Sequence, residues 1–544
     1  MNTISTTEST RPPLAILLAL ALGVLLAALD QTIVATALPT VAGDLGGLAD
    51  LAWVVTAYLV AETVSTPLYG KLGDVIGRKR VLMAAIVLFL TGSALSGLAG
   101  SMLELVLFRA LQGLGAGGLI VTAMAVIGDL VAPRERARYM GMIGGVFAVA
   151  SVAGPLLGGL LVDALSWRWV FYVNLPVGAA ALFVIAAKLP GTARAERQPV
   201  DALGAVLLTA AASAIVLVTS WGGTEYAWDS PTILALAAVA VAALGGFLVQ
   251  ERRAADPVVP LRLFANRAFS AAGLSAFMVG MAMFGAITFL PLYLQVVDGA
   301  SATVAGLRML PVVIGALLAS TISGRVISTA ERYKPYPVAG ALLMATGLLL
   351  LSGLDERSSD VLAAVYMLIL GLGVGLVMQV VILVAQNNAP RRHIGVATST
   401  ATFSRAIGAS IGVALFGAIF ATRLSSELAS LGPAGERIGA AGARLDPGRV
   451  QALPASVKPQ VVDAFASALH GTFLVGAGFA LVGVVAVMLL PRALQPATPS
   501  AAPRSAGDGR RAGPDTGPPR RRSPKPRPAR HRVQAAAQPP ASLD

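Results

Sequence analysis

Cysteine is absent from all 544 residues, which excludes disulfides, thiolate metal sites and cysteine nucleophiles and leaves the redox compartment unreadable. Charge is scarce: Asp, Glu, Lys and Arg make up 13% of the chain, where a soluble domain carries roughly 25%. There are three histidines. His393 and His470 stand at the ends of apolar runs with no second ligand near them in sequence, so no metal site is expected. Walker-type phosphate loops are missing and no Ser/His/Asp constellation can be assembled. Nucleotide hydrolysis and nucleophilic catalysis are therefore not indicated, and the chain is not expected to be an enzyme. The apolar stretches also lack the two-residue alternation of membrane strands, which sets aside a β-barrel.

Hydrophobic residues make up 56% of the chain, and its mean hydropathy is +0.75. Repeated apolar runs of roughly 20 residues match the hydrocarbon thickness of a bilayer. They predict an all-α integral membrane protein with spans near 14–38, 51–69, 81–99, 102–128, 139–163, 170–188, 202–220, 231–250, 269–295, 302–323, 336–353, 361–385, 394–421 and 468–490. The first run ends in acidic and polar residues, not in a small-residue cleavage site, and reads as a helix that is kept. Orientation follows from Lys/Arg bias. With the N-terminus cytoplasmic, inner segments before the tail carry 20 Lys/Arg and outer loops carry 7. An even number of spans with both termini cytoplasmic satisfies this pattern. From Pro491 onward there are 11 Lys/Arg against 3 acids and 12 of the 33 prolines. The tail is expected to be disordered and to touch anionic lipid, so the formal charge of +13 calls for no nucleic-acid partner.

Five motif segments lie along this frame. The segment Gly70-Lys-Leu-Gly-Asp-Val-Ile-Gly-Arg-Lys-Arg80 reads as a tight turn between two helices that places Asp74, Arg78 and Lys79 at the membrane surface, with Gly70 and Gly77 allowing close approach and positive φ. Leu107-Phe-Arg-Ala-Leu-Gln-Gly-Leu-Gly-Ala-Gly-Gly118 buries Arg109 in an apolar helix. Its G-x-G-x-x-G spacing follows no strand, so helix packing explains it better than a dinucleotide site. Gly154-Pro-Leu-Leu-Gly-Gly159 combines a helix-kinking Pro155 with Gly154, Gly158 and Gly159 on a face suited to close helix contact. Leu29-Asp-Gln-Thr-Ile-Val-Ala-Thr-Ala-Leu-Pro-Thr40 and Ser166-Trp-Arg-Trp-Val-Phe-Tyr-Val-Asn-Leu-Pro176 complete the series.

Together these motifs resemble the signatures of the major facilitator superfamily, and in particular its fourteen-helix drug:proton antiporter branch, over roughly residues 14–490. The resemblance implies two six-helix bundles, 14–188 and 269–490, with inserted helices seven and eight in 189–268. An N-terminal segment 1–13, a long outer loop 422–467 and the tail 491–544 complete the expected organisation. It also implies a conformational latch built from Gly70, Asp74, Gly77, Arg78, Lys79 and Asp129, with Asp74 and Arg78 reaching Asp129 and the Pro133–Arg138 loop. A rocking interface at Gly154, Pro155, Gly158 and Gly159 and a proton-linked role for Arg109 follow in the same way.

An antiporter needs a carboxyl group protonated in one orientation and ionised in the other. Asp30 and Glu62, inside spans, are the candidates. Glu104 lies nearer the outer end of its span. Arg405 is the cation deep in the second half, and with Gln379, Gln386 and Asn387 it suggests a polar lining. Arg308 at an outer span end reads as a snorkelling side chain. Phe277, Met281 and Phe284, at helical spacing, suggest a flexible wall for lipophilic substrates. The expected activity is proton-coupled export of amphipathic, cationic small molecules by a monomer in the cytoplasmic membrane, driven by the proton gradient without a cofactor. Alternatives are a dedicated exporter of one antibiotic, metabolite or lipid, and a non-transporting scaffold or receptor.

Overall fold

Lipid offers the backbone no hydrogen-bonding partner, so a chain this apolar must satisfy its peptide groups within helices. The computed structural model shows this. It describes residues 14–45, 51–191, 201–223, 225–300, 302–329, 333–354, 358–431, 450, 453–455 and 457–491. The N-terminal segment and nearly all of the basic tail lie outside them. Sixteen α-helices are described: α1 (Leu14–Leu45), α2 (Leu51–Ile76), α3 (Arg78–Leu98), α4 (Met102–Leu130), α5 (Pro133–Ala164), α6 (Trp169–Tyr172), α7 (Asn174–Lys188), α8 (Ala202–Trp221), α9 (Pro231–Arg253), α10 (Arg267–Val296), α11 (Ala302–Arg308), α12 (Leu310–Thr329), α13 (Pro335–Leu351), α14 (Asp360–Asn387), α15 (Ile394–Ser430) and α16 (Lys458–Met488). Among the described residues, twelve helical stretches are long and apolar enough to cross a membrane; α2 and the shorter α13 are not among them.

Several boundaries differ from the hydropathy reading. The supposed turn at 70–80 is helix up to Ile76, and the chain reverses at Gly77, whose φ of 102° suits a residue without Cβ. The span at 302–323 breaks between α11 and α12, where Pro311 supplies no amide to continue the ladder. The outer loop expected over 422–467 is shorter at both ends, because α15 runs on to Ser430 and α16 begins at Lys458. These extensions are polar overall yet bury Leu424, Leu428, Val461 and Phe465, and Ser467 donates to Glu427 (2.8 Å). A run-length reading misses such amphipathic turns.

Glycines set the closest packing. On α4, a Cβ at Gly113 or Gly117 would strike α2 at Tyr58 or Glu62, while one at Gly115 or Gly118 would strike α3 at Phe89 or Ala85. One helix thus receives a neighbour on each side, which accounts for the G-x-G-x-x-G spacing as packing. The same device recurs on α14, where Gly371 and Gly375 face Val312 and Ala316 of α12 and Gly373 faces Met344 of α13. The strings Gly113-Leu-Gly-Ala-Gly117 and Gly371-Leu-Gly-Val-Gly375 mark corresponding helices of two halves.

In the first half α1 packs on α5 and α7, and α4 on α2 and α3; in the second α10 packs on α15, α14 on α12 and α13, and α16 against α10, α13 and α15. The halves meet through α5 with α12 and α2 with α15. The hairpin α8–α9 attaches through α8, which touches both α2 and α15. Trp221 stacks edge-on against Trp53 at 4.5 Å, and Thr219 hydrogen-bonds Ser410.

Gly115→Ala is expected to lower stability by about 1–3 kcal/mol through overpacking against Phe89 and Ala85. Gly159→Ala, with nothing within 4 Å of the added carbon, should leave the thermal midpoint of the detergent-solubilised protein unchanged.

Candidate functional site

An arginine in hydrocarbon costs at least about 2.5 kcal/mol, so Arg109 of α4 must find compensation where it sits. It donates to the carboxylate of Asp30 on α1 and to Gln112 Oε1 (2.9 Å). Asp30, fully buried, also accepts from Gln112 Nε2 (2.8 Å) and Asn174 Nδ2 (3.1 Å). Asn174, at the start of α7, donates in turn to Ser93 of α3 (3.0 Å), whose hydroxyl donates to the carbonyl of Phe171 (2.8 Å). The guanidinium lies 4.1 Å from the ring centroid of Tyr58 on α2, and Tyr58 Oη donates to the carbonyl of Ala27 (3.3 Å). This network joins six helices of the first half and satisfies Asp30 on both oxygens. Sequence reasoning missed Gln112, Asn174 and Ser93 as its members, although Asn174 lies inside the Ser166–Pro176 motif.

Glu62 stands apart from that network. One helical turn beyond Tyr58 on α2, it is half-buried and accepts from Gln31 Nε2 at 2.6 Å. Arg405 of α15 faces it from the other half; each charge acts on the other without a direct ion pair. The Arg405 guanidinium lies 5.9 Å from the ring of Phe284, and its Nε has no hydrogen-bond partner. Glu62, Gln31, Arg405 and Phe284 therefore form a polar and aromatic patch between the halves, next to the sealed Asp30–Arg109 pair.

Other residues fall elsewhere. Glu104 is exposed in the first turn of α4, where its carboxylate accepts from Gly100 N (2.9 Å) and its amide donates to Ser101 Oγ (3.3 Å). It is a helix cap, legible in sequence as Ser-x-x-Glu. Met281 is buried in the α10–α15 contact, its carbonyl against Gly412, and the carbonyl of Phe277 likewise meets Gly408. Gln379 lies beside α5 and α12, away from Phe284. Gln386 donates to Met124 O (3.2 Å) and Thr398 (2.9 Å). Asn387 accepts from Arg136 (2.8 Å). Gln386 and Asn387 thus tie the halves together through Met124 and Arg136 and do not line a pocket with Arg405. Arg308 does not snorkel: it bridges Asp298 (3.3 Å) and Asp360 (2.8 Å).

At the Gly77 end the two halves are joined. Asp74 accepts from Arg78 (2.9 Å) and from the backbone amides of Gly395 and Val396 (3.0 Å each), at the N-terminus of α15, where the helix dipole favours a carboxylate. Arg78 also pairs with Asp129 (2.7 Å). Gly70 packs so closely on α15 that a Cβ would meet Ser399 and the carbonyl of Gly395. Lys79 takes no part in this contact and donates to Ala186 O at the end of α7 (2.7 Å). Within the Pro133–Arg138 segment, Arg136 reaches Asn387.

The Gly154 motif packs inside the first half. A Cβ at Gly154 would strike Thr32 of α1, whose hydroxyl donates to Leu29 O (2.9 Å) and Ala150 O (3.1 Å). Gly158 is buried, Gly159 faces open space, and the side chain of Pro155 lies outside the described residues. Where α5 meets the other half it does so through Gly141, Gly144 and Gly145, against Ser320 and Leu317 of α12 and Gln379.

The family model described as Major Facilitator Superfamily matches residues 20–413. The chain is 46% identical over 472 residues to the uncharacterized MFS-type transporter Rv1877 of Mycobacterium tuberculosis, covering 87% of this chain and 68% of that one. It is 41% identical over 401 residues to the multidrug transporter protein MdtP of Bacillus subtilis, covering 74% of each. Among solved structures, the human organic anion transporter MFSD10 superposes with a TM-score of 0.61 at 16% identity, over 88% of this chain and all of its own, which bears on the fold alone.

Replacing Asp30 by Leu leaves the Arg109 charge buried and unpaired, and is expected to cost about 3–5 kcal/mol. The double variant Asp30→Leu/Arg109→Met should recover most of that loss, read from denaturation of the purified protein in detergent.

Proposed function

The chain belongs to the Major Facilitator Superfamily, and we propose that it is a proton-coupled exporter of amphipathic, cationic small molecules working by alternating access. Members of this family are transporters and not enzymes. Its fourteen spans form two bundles, α1–α7 and α10–α16, with α8–α9 inserted between them; α6 with α7 and α11 with α12 each make one span. The Lys/Arg-rich Gly77 end and both termini face the cytoplasm of a cell whose inner membrane holds the protein as a monomer. With that end closed, the present arrangement faces outward.

The observation that carries this reading is the position of Glu62. It is a half-buried carboxylate at the seam between the halves, held by one amide and faced by a cation of the opposite half. An ionised Glu62 attracts a cationic substrate, which competes with Arg405 for the same charge, and a protonated Glu62 releases it. Proton and cation thereby exclude each other at one carboxyl group, which is the requirement for antiport. Asp30, sealed by three hydrogen bonds from three side chains, anchors Arg109 next to Glu62 and sets the field there. Phe284 supplies an aromatic face for the apolar part of a substrate. Each pH unit across the membrane supplies about 1.4 kcal/mol per proton, enough for a tenfold substrate gradient at one proton per cation. No resident cofactor is needed. Resemblance to a multidrug transporter of Bacillus subtilis supports a broad substrate range.

In inverted vesicles, an imposed pH gradient is expected to drive transport of lipophilic cations by wild type. Glu62→Gln should abolish the dependence on the gradient while leaving the protein folded. If wild type moves none of the cation panel, the broad exporter reading fails and a dedicated metabolite exporter takes its place.

Asp74→Asn weakens the carboxylate contact with the α15 N-terminus. The closed state should lose about 0.3–1 kcal/mol of dipole stabilisation. Since the native chain has no cysteine, spin labels at Arg80→Cys and Arg392→Cys can read the resulting shift toward longer distances.

A further inference from the structure

Where α5 and α12 bring the two halves together, a buried amide has no partner. Gln379 of α14 is 3% exposed, and neither its Oε1 nor its Nε2 is hydrogen-bonded within the protein. It borders a cavity of about 10 Å³ whose walls include Ala137 and Met140 of α5 and Ser320, Ser323 and Gly324 of α12. The cavity lies beside direct backbone contacts. A Cβ at Gly141 would strike the carbonyl of Ser320, and one at Gly324 would strike that of Ala137, so the helices touch here with little side chain between them. Ser320 donates its hydroxyl proton to Leu317 O (3.1 Å), and Ser323 donates to Ser320 O (3.2 Å). Both oxygens keep lone pairs that can accept.

A buried polar group left unsatisfied costs about 1–3 kcal/mol. A water molecule needs about 10–15 Å³ for its centre and two to four polar partners, and this site offers both. We propose that the cavity is a binding site for a single water molecule, held by the Gln379 amide and the Ser320 and Ser323 hydroxyls and capped by α5. The polar partners all belong to the second half, and the α5 wall from the first half is apolar. Closure of the Gly77 end therefore traps the water against α12 and α14, and parting of the halves returns it to bulk. Bulk solvent then replaces each of its hydrogen bonds, so the closed contact gives up little polar energy on opening. The site is separate from Glu62 and stands whether or not the cation-export reading holds.

X-ray radiolytic footprinting of the full chain in nanodiscs tests this directly, because hydroxyl radicals generated from a bound water oxidise the side chain next to it. Met140 and Met344 are both fully buried, and of the two only Met140 lines the cavity. Wild type should show oxidation of Met140 well above that of Met344. After rapid mixing into H2(18)O, the oxygen at Met140 should exchange more slowly than that at surface residues. Gln379→Met, similar in volume and apolar, should remove the Met140 signal, and Ser320→Ala should weaken it. Three results would each overturn the proposal: Met140 as silent as Met344 in wild type, a signal that persists in Gln379→Met, or exchange as fast as at the surface.

Discussion

The buried ion pair of Asp30 and Arg109 constrains the first half more than any other contact. A guanidinium enclosed by helices has to keep its carboxylate, and the carboxylate has to keep its other donors, so Gln112, Asn174 and Ser93 are bound to one geometry. That geometry fixes where α1, α3, α4 and α7 stand relative to one another. It also places Tyr58 under the arginine, and with Tyr58 the register of α2. Glu62 follows one turn later on that helix and is thereby presented to the seam between the halves. The proposed proton site is positioned by a pair that is itself too well satisfied to exchange freely.

The halves are joined by polar contacts as well as by the close glycine packing that holds each of them together. Within a half, glycines of α4 and α14 let backbones approach directly, and dispersion between closely packed helices does the work that the hydrophobic effect cannot do in lipid. Between the halves, the Gly77 end relies on polar contacts: Asp74 on two amides of α15, Arg136 on Asn387, and Gln386 on Met124 O. Water can replace every one of these. Thr219 on the inserted helix adds a further polar tie, to Ser410.

Much of this was legible in the residues. Reading the apolar runs located helices but not always their ends: α1 continues to Leu45 and α2 to Ile76, each seven residues beyond its run. It failed at 422–467 because Leu424, Leu428, Val461 and Phe465 bury one face of helices whose overall composition is polar. Arg109 and Asp30 were identifiable as costly residues in hydrocarbon, yet nothing in their spacing, 79 positions apart, said that they would meet. Glu104 looked like a third carboxylate of the same kind, although its Ser101-x-x-Glu104 pattern already described a cap. Phe277, Met281 and Phe284 share a face of α10 but go to different places: Met281 is buried in the α10–α15 contact, Phe277 packs with the cluster of Val64 of α2, Val216 of α8 and Ile407 of α15, and Phe284 lies by Arg405.

Composition and local pattern determined that the chain is helical and lives in lipid, because backbone satisfaction and hydrocarbon thickness act on each segment separately. They also determined the turn at Gly77 and the glycine strings of α4 and α14, which are properties of a few consecutive residues. Tertiary structure alone decided which buried charges neutralise each other and that Glu62 faces Arg405 while Asp30 is sealed. It also decided that Gly154 serves contact within one half while Gly141 and Gly144 serve contact between the two. Those outcomes depend on which helices become neighbours, and neighbours are chosen by the packing of the whole bundle, whose terms are too far apart in sequence for any window to contain them.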